Sequence, residues 1–294
     1  MKDILIRGTS DEGSIRFFCA ATSNLTEEAR RIHNTTPVAT AALGRMLTAG
    51  SIMGAMLKNQ KDSLTLQING KGPAGTILIV SDQTSKVRGY ISNPNINLPL
   101  NDKGKLDVGG AVGTDGAFTV IKDLGLKEPY IGKTPIINGE VAEDITSYFA
   151  VSEQTPSAVG LGVRVGVDAH VESAGGFIVQ LMPEANEKIA ILAEENVRGI
   201  KSVTEIIYYE GIDGLLNRLT KGIEYVIHDK KEIRYECNCS EDRIEKALIS
   251  LGEKDMNEMI KEDGQAEILC HFCNKKYKFD KDALISILEK AKQS

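Results

Sequence analysis

Apolar positions fall first into short alternating or continuous runs and later into helical spacing, which predicts an α+β chain. Ile4-Leu5-Ile6 and the segment 14–20 (Ile15, Phe17, Phe18) read as two strands joined by the turn Thr9-Ser10-Asp11-Glu12-Gly13. A helical pattern begins near Thr26. Thr36-Pro37 then predicts a second helix, with the Thr36 hydroxyl as cap and Pro37 at the first helical position. This helix is expected to reach about Lys58, and its small residues (Ala39, Ala42, Gly44, Gly50, Gly54, Ala55) suit a central element that others approach closely. From 63 to 122 the pattern is of strands: Leu64, Leu66 and Ile68 alternate with polar residues, and 77–80, 87–91 and 117–121 are apolar runs between Gly and Asn turns. A turn and helix over 138–150, then Gly-rich apolar strands over 159–167 and 176–181 that could form a hairpin, complete this part.

The next segment is helical and broken. Pro183 is expected to open a helix to about Arg198, Ser202 to cap another, Gly211 to interrupt it and Asp213 to restart it. Short helices of this kind are marginal alone and depend on docking. Their apolar residues, Ile206, Ile207, Tyr208, Tyr209, Leu215, Leu216 and Leu219, are expected to pack on the preceding core, and they become a sticky surface if that docking is reversible.

A strand or linker over 222–234 leads to Cys237-Asn238-Cys239. Ser240 then caps a helix with Ile244, Ala247, Leu248 and Leu251 inward and Gly252 at its end; Arg243 stands where a capping box would carry Glu or Gln. Met256, Met259 and Ile260 continue a small core. A strand over 267–269, the turn Cys270-His271-Phe272-Cys273-Asn274 and a strand over 276–279 follow, and Asp280 caps a last helix with Leu284, Ile287 and Leu288 inward.

With 294 residues, 41% of them apolar, the chain is long enough for two or more domains. A net charge of −6 argues against a surface built for nucleic acid or anionic membrane. The segment 35–57 is interrupted by Arg45 and reads as a core helix, not a membrane span, and the N-terminus carries no apolar run of signal-peptide length. The expected location is the cytoplasm, where thiols stay reduced and paired cysteines serve metal binding or redox chemistry. Several tempting motifs fail. Gly109, Gly110 and Gly113 do not have dinucleotide-loop spacing, and Gly132-Lys133-Thr134 has Lys127 where a phosphate loop needs Gly, so no nucleotide is expected. Ser152 and Glu153 have no histidine in company and read as polar loop groups. His33 reads as a helix-end residue, His170 as a turn residue and Cys19 as a small buried hydrophobe.

Four of the five cysteines remain, as Cys-x-Cys and, after thirty residues, Cys-x-x-Cys. Two such pairs supply the four thiolates of a closed tetrahedral site for one Zn²⁺, with no open position for water or substrate. Such a site carries net charge −2, which the nearby Arg234, Lys275 and Lys276 are placed to offset; His271 is a bystander to a complete ligand set. Residues 232–294 carry 14 acidic and 11 basic side chains, which disfavours a nucleic-acid ribbon. A thiol–disulfide oxidoreductase would place Cys-x-x-Cys at the head of a helix, whereas Cys270 lies between strands. A structural clasp in an interaction protein and a redox switch stay open. The switch follows from magnitudes: about sixty residues supply only ~3–5 kcal/mol from their own core, whereas structural zinc supplies roughly 10–16 kcal/mol. Oxidising the sulfurs would therefore unfold the unit.

The cysteine arrangement, together with Gly139-Glu140-Val141-Ala142-Glu143-Asp144-Ile145 and Ser152-Glu153-Gln154-Thr155-Pro156-Ser157, resembles the heat-shock protein 33 family over essentially the whole chain. The resemblance implies an N-terminal α+β domain (1–181), a helical linker (182–231) and a C-terminal zinc-binding redox-switch domain (232–294). It implies a cytoplasmic chaperone, not an enzyme, that holds unfolding proteins without ATP under oxidative stress. Reduced and zinc-bound at Cys237, Cys239, Cys270 and Cys273, it would be inactive. On oxidation Cys237 would pair with Cys239 and Cys270 with Cys273, with zinc release, unfolding of the linker and homodimer formation. The candidate client-binding residues are then Ile206, Ile207, Tyr208, Tyr209, Leu215, Leu216 and Leu219.

Overall fold

A computed structural model describes residues 2–293. They form two compact units that divide between Glu236 and Cys237. The first unit runs β1 (Ile4–Ser10), β2 (Ile15–Ala21), α1 (Ser23–His33), α2 (Pro37–Gly54), β3 (Ser63–Asn69), β4 (Ile77–Asp82), β5 (Lys86–Ile91), α3 (Val108–Val112), β6 (Ala117–Asp123), β7 (Tyr130–Pro135), α4 (Ala142–Val151), β8 (Ser157–Val165), β9 (Val171–Leu181), α5 (Glu187–Gly199), α6 (Val203–Leu219), β10 (Tyr225–Glu232) and β11 (Arg234–Tyr235). The second runs α7 (Glu241–Ile249), α8 (Glu253–Glu262), β12 (Gln265–Leu269), β13 (Lys276–Asp280) and α9 (Lys281–Gln293). The mixed α+β class expected from the apolar pattern is what the chain adopts.

In the first unit α2 packs against two sheets. One is antiparallel, ordered β10-β1-β2-β9-β8; the other is ordered β11-β5-β4-β3-β6-β7, antiparallel except for β11 beside β5. Sixteen of the eighteen residues of α2 are buried, which its small side chains permit. A Cβ on Gly44 would stand 2.4 Å from Thr26 Cγ2, and one on Gly50 2.6 Å from Ile79 Cγ2. Two of its buried hydroxyls bond within the helix, Thr48 Oγ1 donating to Gly44 O and Ser51 Oγ to Leu47 O.

The middle of the first sheet, β1, β2 and β9, is buried on both faces. Leu5, Phe18 and Ala20 belong to the core around α2, while Ile6, Phe17, Cys19 and Ala21 point the other way into a second core. The strand period of two thus divides one apolar run between two cores. Helices α5 and α6 close the second core with Ala193, Val203, Ile206, Ile207, Ile212, Leu215, Leu216 and Leu219. Gly211 breaks α6 as expected, with φ 70° and ψ −167°. Ser202 caps α6, its hydroxyl accepting from Glu205 N at 3.3 Å.

Three helix starts differ from expectation. The helix expected near Thr26 begins at Ser23, because the Asp3 carboxylate, just before β1, accepts from Asn24 N (3.1 Å) and Leu25 N (2.6 Å) and so caps α1. Pro37 does open α2, but Thr36 does not cap it. Its hydroxyl donates to Ile96 O (2.7 Å) and accepts from Ile96 N (3.0 Å), a tertiary pairing that takes the place of the cap. Pro183 lies in a turn, since Glu184 has φ 63° and cannot be helical; Asn186 caps α5 instead, accepting from Lys188 N at 3.0 Å.

In the second unit the β12–β13 hairpin runs from the pair Gln265–Asp280 to Leu269–Lys276. Alternation along β13 turns Tyr277 and Phe279 into a core with Leu248, Met256, Ile260, Leu284, Ile287 and Leu288. Ser240 and Asp280 cap α7 and the start of α9, accepting from Arg243 N and Ala283 N. No helix among the described residues is long and apolar enough to cross a membrane.

Candidate metal centre

The second unit builds its chemistry on two short turns. Cys237 and Cys239 lie just before the Ser240 cap of α7. Cys270 follows β12, and the chain folds back at once: Asn274 N donates to Cys270 O (2.8 Å), Cys270 N to Lys275 O (3.0 Å), and Asn274 takes φ 56°. This knuckle presents Cys270 and Cys273 on one side. The four Sγ atoms all lie within 4.8 Å of one another. Cys237 and Cys270 sulfurs are 3.7 Å apart, those of Cys239 and Cys273 3.4 Å, and no disulfide joins them. A tetrahedral ion with bonds of about 2.3 Å to sulfur has sulfur–sulfur edges of about 3.8 Å, so this donor set fits one ion. Cys270 is buried and the other three are half-buried.

The thiols are not equivalent. Burial pushes Cys237 and Cys273 upward. Burial acts on Cys239 in the same direction, but hydrogen bonds from the Tyr277 hydroxyl (3.1 Å) and then from the neighbouring thiols overcome it and hold Cys239 at about 7. The Tyr277 hydroxyl is driven well above its ordinary value by the same bond. The Lys275 ammonium stands 4.9 Å from the Tyr277 ring centroid. Lys276 is engaged by Glu267 at 2.8 Å and Arg234 faces Glu236 at 4.0 Å, so neither is assigned to the sulfurs as a counter-charge. His271 is exposed and stands outside the four-sulfur group.

The remaining candidates lie in the first unit. Cys19 is fully buried in the second core, and burial pushes its thiol up to about 12. Ile206, Ile207, Leu215, Leu216 and Leu219 are buried under α6, whereas Tyr208 and Tyr209 are 47% and 73% exposed, with the Arg164 guanidinium 4.9 Å from the Tyr208 ring. Glu153 accepts from the Tyr148 hydroxyl (2.7 Å) and pairs with Lys122, and Ser152 pairs with the Tyr130 hydroxyl at 2.8 Å, which makes both loop anchors. His33 ends α1 and contacts Gly89 O at 2.9 Å. The chief omission from the sequence reading is Tyr277. The alternation of β13 places it on the core side, but its reach to Cys239 depends on how α7 and the hairpin close around the cluster.

A closed four-sulfur cluster of this geometry could hold one metal ion entirely by cysteine, with no open position for a hydrolytic water. The family model described as Hsp33 protein matches residues 3–280. A 33 kDa chaperonin of Clostridioides difficile (strain 630) is 50% identical over 290 residues, covering 98% of this chain and 99% of that protein. One from Alkaliphilus metalliredigens (strain QYMF) is 46% identical over 291 residues, with 98% and 99% covered. The crystal structure of the 33 kDa chaperonin (heat shock protein 33 homolog) of Thermotoga maritima superimposes with a TM-score of 0.89 at 36% identity, over 100% of both chains. The chain belongs to the Hsp33 family. It is a chaperone and not an enzyme.

Proposed function

We propose that this protein is a redox-regulated chaperone that holds unfolding proteins without ATP, silenced in its reduced form by one Zn²⁺ on Cys237, Cys239, Cys270 and Cys273. The observation that carries this is the convergence of four sulfurs within 4.8 Å in a unit with its own small core. All-thiolate coordination suits zinc, which supplies charge neutralisation and a fixed tetrahedral geometry when bound. A core of that size supplies only ~3–5 kcal/mol, against roughly 10–16 kcal/mol from structural zinc. The state of the thiols therefore governs whether the unit is folded.

Under peroxide, Cys237 pairs with Cys239 and Cys270 with Cys273. Each disulfide takes two electrons from two thiolates and reduces one peroxide to two waters, with two protons taken up. The donors are consumed and the site loses its affinity for the ion. In this scheme residues 1–181 are the body, 182–231 a linker that loosens when 232–294 unfold, and the oxidised chain forms a homodimer. Clients are unfolding cytoplasmic proteins. They are gripped by the apolar surface around Ile206, Ile207, Tyr208, Tyr209, Leu215, Leu216 and Leu219, most of which is covered in the reduced fold.

The test is zinc content and suppression of light scattering by a heat-denatured client, on one sample, before and after peroxide at elevated temperature. Zinc release and protection that appear together and reverse with a thiol reductant are expected. Zinc release without protection would reduce the metal to a structural clasp. Catalytic turnover of a small dithiol would favour an oxidoreductase.

A further inference from the structure

We propose that Tyr277 is a positioning residue of the thiol switch, holding Cys239 through a hydroxyl-to-sulfur hydrogen bond that raises metal retention and slows oxidation of that one sulfur. The inference rests on the four-cysteine zinc reading and adds a residue outside the ligand set. Tyr277 lies on β13 opposite Ile268 and is 6% exposed, so its ring is fixed by the small core. Its hydroxyl donates to Cys239 Sγ at 3.1 Å, across 38 residues of sequence. The Lys275 ammonium, 4.9 Å from the ring centroid, draws electron density from the ring and strengthens the hydroxyl as a donor. A site of four thiolates and one dication carries two excess negative charges, and a donor to one sulfur disperses part of that charge. Outer donors of this kind are typically worth about 10–100-fold in metal affinity.

The same bond occupies a lone pair that Cys239 would use to attack an oxidant. In that attack the Cys239 thiolate forms an S–O bond to one peroxide oxygen and the O–O bond breaks. Hydroxide leaves and is protonated to water. The resulting sulfenic acid condenses with a neighbouring thiolate to the disulfide, releasing a second hydroxide, which is also protonated. Losing the Tyr277 donor exposes that lone pair at Cys239 and at no other cysteine.

The experiment compares full-length zinc-loaded wild type with Tyr277→Phe, which keeps the ring in the core. Zinc retention is read by competition with a chromophoric chelator. Oxidation is read by alkylation and residue-resolved mass spectrometry after brief exposure to peroxide. Tyr277→Phe is expected to weaken zinc binding about tenfold or more, and to raise the share of early oxidation at Cys239 relative to Cys270 and Cys273. Zinc affinity within about twofold of wild type, with an unchanged Cys239 share, overturns the proposal. Equal acceleration at all four cysteines also overturns it, because a merely loosened fold would produce that. Should Tyr277→Phe not fold, Lys275→Met, which keeps the hydroxyl and removes the cation, must shift both readouts in the same direction by less; no shift overturns the proposal. Wild type that binds no zinc overturns the underlying reading as well. Wild type that keeps zinc through peroxide overturns only the switch, and the affinity comparison then decides Tyr277 by itself.

Discussion

Gly162 of β8 lies so close to Thr204 of α6 that a methyl group on Gly162 would stand 2.7 Å from Thr204 Cγ2. The first turn of α6 thus docks on a strand with no side chain at that point. Gly162→Ala should push α6 away at a cost of about 1–3 kcal/mol, partly offset by the better strand propensity of alanine. Backbone amides of 203–219 should then exchange about tenfold faster in the reduced protein while those of β1 and β2 stay protected, read by hydrogen-exchange mass spectrometry. Under the proposed function the variant also protects a denaturing client without oxidant. Unchanged exchange over 203–219 would mean that this contact does not hold the helix.

Cys270→Ser with Cys273→Ser removes half of the donor set. Hydroxyls are poor ligands for a thiophilic ion, so zinc content should fall to near zero. The unit beginning at Cys237 should lose its folded signals, because its core is separate from the cores of the first unit. The first unit should keep its own. NMR spectra of reduced variant and wild type with zinc present decide the matter, and a variant with a fully folded second unit would show that the metal is dispensable.

Asp144 organises the turn that enters α4. It is fully buried, and its carboxylate accepts from Ile137 N (2.7 Å), Asn138 N (3.3 Å) and Val141 N (2.9 Å). Val141 is held at φ 72°, closed by Ala142 N donating to Glu140 O at 2.9 Å, a γ-turn that a β-branched residue resists. Arg45 of α2 fixes the same turn by donating to Glu140 O at 3.0 Å. Asp144→Ala leaves buried donors unpaired and should cost about 3 kcal/mol or more, measured by denaturant unfolding followed at the first unit. Asp144→Asn, which keeps one acceptor oxygen, should cost less.

Glu27 sets an acid limit for the first unit. Its carboxylate accepts two bonds from Arg30 (2.8 and 2.7 Å), with Val171 N and His170 adding to them, and it is held at about 2. Its folded value lies below its unfolded value, so its contribution is complete above about pH 4.5 and is lost as pH falls toward 2. Glu27→Gln should lower stability at pH 7 and flatten the decline between about pH 4.5 and 2 relative to wild type, read from unfolding midpoints across that range. Parallel curves for the two proteins would assign the acid sensitivity to other groups.

Local features were legible in the sequence. The cysteine pairs stood out because metal ligation from a tight turn depends on separations of one or two residues. The break at Gly211 and the caps at Ser202, Ser240 and Asp280 were visible for the same reason: backbone freedom and capping act within a few residues. Where a distant group competes, local signals misled. Asp3, just before β1, starts α1, and Ile96 takes the hydroxyl that Thr36 would otherwise have given to α2.

By itself, then, the chain determined the class of the fold, the central small-residue helix and the two cysteine pairs that converge, because periodicity, glycine and cysteine spacing are short-range properties. Tertiary structure alone decided which apolar residues of α6 are covered and which, like Tyr208 and Tyr209, face outward. It also decided that the Tyr277 hydroxyl reaches Cys239 and that Asp144 gathers three backbone donors. Those outcomes depend on groups far apart in sequence meeting at hydrogen-bonding distance, and only the packing of whole elements sets such distances.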